Sequence, residues 1–165
     1  MGDEMKVAEP QKEHEWLQKL VGEWTYESEA MMGPDQPPLK SGGTESVRPL
    51  GGLWTVGEAQ GEMPGGGPAT SLMTVGFDPQ KGRFVGSWIG SMMTNLWVYD
   101  GELDAAGRVL SLYSDGPAMS GDGMAKYRDA IEIVSDDHRI MTAAVQGEDG
   151  NWSQFMTTHY RRKTA

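Results

Sequence analysis

The sequence predicts an all-β fold, an antiparallel up-and-down β-barrel of about ten strands with a short N-terminal helix closing one end. Apolar and polar residues alternate with a period of two over most of the chain, as in strands with one wet face. Turn residues recur at roughly the 8–12-residue spacing of short antiparallel strands. The 23 Gly and 9 Pro in 165 residues are too many for a helical bundle.

The helix is predicted over residues 10–21, because its large apolar residues recur at helical spacing: Trp16, Leu17, Leu20 and Val21. Pro10 is acceptable in a first helical turn, and Gly22 is a suitable stop. His14 lies between Glu13 and Glu15, so we expect its ring to be solvated.

From residue 23 onward the period changes to two. The predicted strands are 23–31, 43–49, 53–63, 70–77, 83–89, 96–103, 109–114, 125–134, 139–146 and 152–161. Short turns and longer loops alternate between them, and every second connection of a meander lies at the same end. The four short turns and the helix therefore share one end, and the five longer loops share the other. A closed barrel leaves no edge strand, and an open sandwich is the alternative.

Length and charge restrict the function classes. A mass of 18.0 kDa predicts a single domain, over residues 10–165, after a disordered tail at 1–9. The net charge of −10 argues against nucleic acid or an anionic membrane as partner. Without Cys, thiol chemistry is excluded. The first residues lack a signal-peptide pattern and no apolar run reaches the roughly 18 residues of a membrane span, so we expect a cytoplasmic protein of a bacterium-like cell.

Two motifs resemble the calycin superfamily of lipocalin and fatty-acid-binding barrels. Gly22 and Trp24 form a Gly-x-Trp at the start of the first strand, directly after a short helix. Arg161 and Arg162 end the last strand. The resemblance implies that one of these Arg side chains stacks on Trp24, a contact worth about 0.5–2 kcal/mol.

A narrower resemblance covers the chain from Glu13 to Lys163. It is carried by five segments, Leu17-x-x-Leu-Val-Gly-Glu-Trp24, Pro49-Leu-Gly-Gly-Leu-Trp54, Gly76-Phe-Asp-Pro79, Trp97-Val-Tyr-Asp-Gly-Glu-Leu-Asp104 and Phe155-Met…Tyr160-Arg-Arg162. They are similar to the bacterial domain-of-unknown-function family 1579. The resemblance implies a calycin-like barrel and supplies no catalytic residue.

Aromatic and Met residues predict the binding site. Strand alternation turns Trp88, Trp97, Tyr99 and Tyr127 inward, as the wall of a cavity for a small apolar or aromatic molecule. Seven of the twelve Met lie at or beside the longer loops: Met31, Met32, Met63, Met92, Met93, Met119 and Met124. We expect Met92 and Met93 to contact the ligand at an adaptable mouth, although such Met also suit simple loop packing or a thioether metal site.

Asp129 is the predicted polar group of this interior. Alternation places it on the apolar face with Tyr127, where a carboxylate either pairs with an Arg or shifts its pKa. Arg48 and Arg128 are the expected partners, and Arg48 or Asp129 would orient the ligand. If Asp129 lacks such a partner, the alternative is a small-molecule enzyme with Asp129 as base and Tyr127 as acid.

No cofactor or metal is expected, because the sequence has no phosphate-binding loop, no nucleophile elbow and no His pair at ligand spacing. A remote alternative is haem held by His159, since nitrobindins, another group of ten-stranded barrels, bind iron through a His. The segment 22–27 lacks their extended Gly-x-Trp-x-Gly-x-Gly pattern.

Three apolar residues stand at outward positions where polar ones are expected: Trp54, Val56 and Val98. Exposed apolar patches usually mark interfaces, so we expect a homodimer that joins the outer walls of two barrels.

Overall fold

The computed structural model describes residues 5–164. Helix α1 (Lys12–Leu17) and a 3-10 turn (Gln18–Leu20) precede ten strands, which are β1 (Gly22–Ala30), β2 (Leu39–Leu50), β3 (Trp54–Glu62), β4 (Pro68–Asp78), β5 (Arg83–Gly90), β6 (Trp97–Leu103), β7 (Val109–Pro117), β8 (Met124–Ser135), β9 (His138–Gln146) and β10 (Trp152–Arg162). Of the predicted tail, residues 1–4 lie outside the described residues, and residues 5–9 are exposed without helix or strand. Disorder of the tail stays a prediction.

Each strand pairs with its neighbours in sequence, and β1 pairs with β10, which closes the barrel. All pairings are antiparallel, so both predicted features, ten strands and closure, are confirmed and the open sandwich is wrong. Strands β2 and β8 have 12 residues each, and β2 begins four residues earlier than predicted. No helix among residues 5–164 has both the length and the apolar character needed to cross a membrane.

The short turns and α1 share one end of the barrel, here called the helix end, and the longer loops form the opposite loop end. Trp16 Nε1 donates a hydrogen bond to the Gly107 carbonyl in the β6–β7 turn, at 2.7 Å. His14 is buried, with Nε2 3.0 Å from the Phe77 carbonyl and Nδ1 accepting from the Gln11 amide. The prediction of a solvated His14 is therefore wrong, because the face of α1 that carries His14 packs against the barrel.

A clasp of β1 and β10 closes the helix end. The Arg162 guanidinium lies 4.2 Å from the centre of the Trp24 ring and donates 2.7 Å to the Val21 carbonyl, which confirms the predicted stacking. A Cβ on Gly22 would lie 2.2 Å from Arg162 Nη1, and Gly22 has φ +138°, so only glycine suits this position. The Gly-x-Trp motif thus makes room for the Arg.

Side chains fill the barrel unequally along its axis. The helix end holds an apolar core whose most enclosed members are Leu17, Trp24, Val75, Leu110, Leu112 and Ile131. A void of about 20 Å³ remains beside Glu45 and Arg139. Above this core the interior opens into a much larger space at the loop end.

Candidate functional site

The loop end of the barrel contains a cavity of about 560 Å³. Its wall includes seven aromatic side chains, Tyr26, Trp88, Trp97, Tyr99, Tyr127, Phe155 and Tyr160. It also includes five Met: Met73, Met93, Met119, Met141 and Met156. Strand residues alternate between the two faces of the sheet, so most strands contribute alternate side chains to this wall. In β10 an irregularity in register between Gln154 and Met156 brings the consecutive residues Phe155 and Met156 to it.

Most of the predicted ligand-binding residues lie at this cavity. Trp88, Trp97, Tyr99, Tyr127 and Met93 line it.

Two of the predicted residues lie elsewhere. Arg48 is exposed on the outer wall, because its inward neighbour on β2 is the buried Val47, so its expected place inside the barrel is corrected. Met92 is not among the lining residues; its Sδ lies beside Gly90.

Among the loop Met, Met93 and Met119 line the cavity. The Met93 sulfur accepts a hydrogen bond from Trp97 Nε1 at 3.2 Å. Met31, Met32 and Met124 are exposed outside it. The other three lining Met lie on strands. Met side chains therefore line the cavity below the loops as well as at its mouth.

Asp129 is the polar centre of the cavity. Its carboxylate accepts a 2.6 Å hydrogen bond from the Tyr99 hydroxyl. Burial raises the pKa of Asp129 to about 6, against the opposing effect of this hydrogen bond. Burial, followed by the Asp129 charge, raises the pKa of Tyr99 well above its usual value. The pair therefore combines a neutral phenol with a carboxyl that ionises near neutral pH.

The expected Arg partner of Asp129 is absent. Within residues 5–164, no Lys, Arg or His nitrogen lies within 4 Å of its carboxylate. Arg128 lies over the Trp152 ring, 4.7 Å from its centre. The predicted pairing with Arg48 or Arg128 is therefore wrong, since adjacent strand residues point to opposite faces.

Tyr127 lines the cavity, but its hydroxyl group does not contact Asp129. Its hydroxyl donates to the Pro117 carbonyl at 2.5 Å, and its pKa is raised by burial. The phenol next to Asp129 is that of Tyr99, two strands away from β8 in the sheet.

A buried ion pair that was not predicted from the sequence forms the floor of the cavity. The Arg139 guanidinium donates to the Glu45 carboxylate, and both side chains are buried. Arg139 lies 3.7 Å from the Tyr160 ring centre and 4.8 Å from that of Trp24. Burial, then the Glu45 charge, raises the pKa of Tyr160 and of Tyr26. Strand alternation could have indicated that Glu45 is buried, because it points to the same face of β2 as the apolar Val47.

Small polar groups complete the wall. The Ser28 and Thr158 hydroxyls are 2.7 Å apart, and Ser71 and Ser114 also line the cavity. Asn95, in the β5–β6 loop, has a buried side-chain amide nitrogen with no hydrogen-bond partner among the described residues. This amide is available to a bound molecule.

His159 does not face the cavity. It is exposed on the outer wall, where its Nδ1 lies 3.0 Å from Nε2 of His138. His159 therefore cannot hold a haem inside the barrel, and this alternative is wrong. Within the described chain, no group of three or more His, Asp or Glu side chains is arranged to hold a metal ion.

Comparisons with known proteins agree with this architecture. The family model described as "Protein of unknown function (DUF1579)" matches residues 9–162. No sequence among the curated proteins matches the chain.

Several solved structures share the fold at low sequence identity. The S-type phycobiliprotein lyase CPES from Guillardia theta has a TM-score of 0.62 and 10% identity, covering 94% of this chain and 99% of the other. Rv2717c from M. tuberculosis has a TM-score of 0.60 and 12% identity, with 94% and 100% covered. EF1p2_mFAP2b bound to DFHBI has a TM-score of 0.50 and 16% identity, with 92% and 99% covered. At these identities the likeness shows the fold alone.

Proposed function

The chain belongs to the DUF1579 family, and from this premise we propose that it binds one small apolar or aromatic molecule non-covalently inside the barrel. The observation that carries the proposal is the cavity of about 560 Å³ above a packed core. This volume lies within the roughly 300–1,000 Å³ range of small-molecule sites. Structural neighbours include a barrel bound to DFHBI and a phycobiliprotein lyase, which is consistent with a fold that handles small ligands.

The wall supplies the two kinds of contact that such a site needs. Trp88, Trp97 and Tyr127 offer ring surface, and Trp97 meets Tyr127 edge to face at 4.9 Å. Met side chains at the mouth adjust to the shape of the ligand. Asp129, Tyr99 and the unpaired Asn95 amide provide the few polar groups that fix orientation.

The experiment uses prodan, a neutral aromatic fluorophore, together with native mass spectrometry of the purified protein for a retained ligand. We expect one prodan per chain, with increased emission. Ala143→Phe fills the cavity and weakens binding by about tenfold or more, equivalent to about 1.4 kcal/mol. Thr142→Phe, on the outward side of the same strand, is the matched control and leaves binding unchanged. No bound prodan, no retained ligand and equal behaviour of the two variants would contradict the proposal.

A second candidate function is acid–base catalysis in the same cavity, and one observation favours it. Asp129 opens onto the cavity without a cationic partner among residues 5–164, and its pKa of about 6 suits a general base. In this case Tyr99, rather than the predicted Tyr127, is the acid, because its hydroxyl contacts Asp129. Incubation of a bound compound in D₂O, followed by NMR, tests it: exchange of a C–H proton that is lost in Asp129→Asn supports catalysis, and its absence favours binding alone.

We further propose a homodimer through the outer wall of β3–β6. Trp54 and Val98 are exposed. Strand register joins Val98 to Ser87, Thr74 and Val56 in one uncharged outward row, and Trp54 lies two residues from Val56 on the same face of β3. That row has no charged side chain, whereas the chain as a whole carries −10, so two copies repel least at this face. Light scattering should give twice the chain mass for the wild type and the single mass for Val98→Glu; a single mass for both would contradict it.

Residence in the cytoplasm and the absence of a nucleic-acid partner stay predictions, supported by the sequence and by the acidic charge.

A further inference from the structure

The charged groups that line the cavity are all acidic. Glu45 and Asp129 line it, whereas no Lys, Arg or His is among its lining residues in the described chain. A molecule inside the barrel therefore meets carboxylates directly and no exposed cation.

Only one of these carboxylates is uncompensated. The Glu45 charge is neutralised by Arg139, whose guanidinium lies against the Tyr160 ring and is not among the lining groups. Arg139 instead lines the small void on the helix side of this pair. Asp129 has a phenol as its partner, and a phenol supplies no positive charge. The interior accordingly carries one unbalanced negative charge when Asp129 is ionised.

Aromatic rings border the same space. Tyr127 stands between Trp97 and Phe155, edge to face with both, at centroid distances of 4.9 and 6.2 Å. Trp88 and Tyr99 extend this wall. The faces of aromatic rings attract cations, and the attraction grows when water is excluded. A carboxylate beside such rings is the arrangement that recognises an organic ammonium group.

We propose that the ligand of this cavity is an organic cation, an amine or quaternary ammonium with an apolar or aromatic body, whose charged group lies beside Asp129. The inference rests on the proposed binding function and names the ligand class of the same site. The apolar body packs against the Met and aromatic wall. An anionic ligand is disfavoured, because it would face Asp129 with no accessible cation to offset the repulsion.

The titration of Asp129 adds a pH dependence. The groups that face it are Tyr99 on β6, Tyr160 on β10 and, beyond Tyr160, the paired Glu45 and Arg139. Ala143 of β9 and Leu112 of β7, its partners in register, do not titrate. Because the pKa of Asp129 is about 6, the carboxylate is present above pH 7 and lost below pH 5. The affinity for a permanently charged cation should therefore fall as the pH is lowered from 7 to 5.

The test compares two probes of the same shape, phenyltrimethylammonium and the neutral tert-butylbenzene, by displacement of prodan at pH 8. We expect the cation to bind about tenfold more tightly, the size of a desolvated cation–π and charge contact. Asp129→Asn should remove this preference by weakening the cation alone. Asp129→Glu keeps the charge and should keep the preference. Asp100→Asn makes the same change of charge on the outer wall, next to Tyr99 in sequence, and is the matched control.

The outcomes separate the two proposals. Equal or weaker binding of the cation, or a cation affinity unchanged in Asp129→Asn, overturns the ligand class while prodan binding upholds the cavity. Failure of prodan and both probes to bind overturns the proposed function itself. If Asp129→Asn does not fold, the pH series on the wild type decides, and an affinity for the cation that is constant from pH 8 to 5 overturns the inference.

Discussion

The two halves of this barrel are built from the same ten strands and differ in what their inward side chains do. At the helix end, Leu110 and Leu112 are fully enclosed and the core closes over them. Towards the loop end, the same strand β7 contributes Ser114 to the cavity wall, and its neighbour β8 contributes Asp129. The packed core fills one half, and the other half holds the cavity in which we propose that a ligand binds. Substitutions in the two halves should therefore affect different measurements.

The largest expected effect lies at the boundary between the halves. Arg139→Met leaves the buried Glu45 carboxylate without its partner, which should cost about 3–5 kcal/mol of unfolding free energy. Adding Glu45→Gln removes the orphaned charge and should restore much of the loss. Urea denaturation of the single and double variants measures this. A single variant as stable as the wild type would show that the floor does not need the ion pair.

A purely helix-end change comes next. Leu110→Ala creates a cavity in the closed core and should lower the unfolding free energy by about 2–5 kcal/mol. Met141→Ala, at the wall of the existing cavity, should cost less than half as much, because that side chain already borders open space. Urea unfolding checks stability and prodan titration checks binding. Equal losses of unfolding free energy in Leu110→Ala and Met141→Ala would contradict the difference in packing between the two halves.

Replacement of Asp129 should raise the unfolding free energy rather than lower it, because the ionised carboxylate destabilises the folded state. Its pKa is raised from 3.8 to about 6 on folding, so the unfolded chain loses the proton first as pH rises. Stability contributed by the protonated group is therefore lost between about pH 4 and 6, roughly 3 kcal/mol in all. Asp129→Asn should gain stability relative to the wild type over that interval, with a constant difference above pH 7. The exposed Asp115→Asn is the control. A difference that does not change with pH would contradict the prediction.

The smallest effect concerns the clasp at the helix end. Arg162→Met removes the stacking on Trp24 and the hydrogen bonds to the carbonyls of Val21 and Asp136. The loss should be about 1–2 kcal/mol, with ligand affinity unchanged. Arg161→Met, exposed one residue earlier, is the matched control and should be near neutral. Thermal unfolding distinguishes them, and equal melting temperatures would show that the clasp contributes nothing.

The fold was predictable because alternation and turn spacing are local signals. The same parity placed Trp88, Trp97, Tyr99 and Tyr127 at one wall, and the structure has them there. The same alternation predicts that Asp129 points inward, but it does not identify the side chain that contacts Asp129. Its partner depends on register between strands, and no local pattern distinguishes Tyr99 from Tyr127.

The missed residues have a common physical cause. Alternation places Glu45 on the inward face of β2, but its partner Arg139 lies 94 residues away, and no pattern within either segment identifies the pairing. His14 was misjudged from its flanking Glu residues. Which face of so short a helix docks is decided by the end of the barrel beneath it, here the Phe77 carbonyl.

Closure by β1 and β10 has a consequence for synthesis. Trp24 is opposite Arg162, so the first strand made must wait for the last one before its free edge is covered. Pairings so distant in sequence form slowly, and open strand edges invite association with other chains. On the ribosome, the ring cannot close until residues 152–162 have left the exit tunnel. A chain interrupted before that point exposes two unpaired edges, those of β1 and β9, so nascent and truncated forms are the species most in need of chaperones.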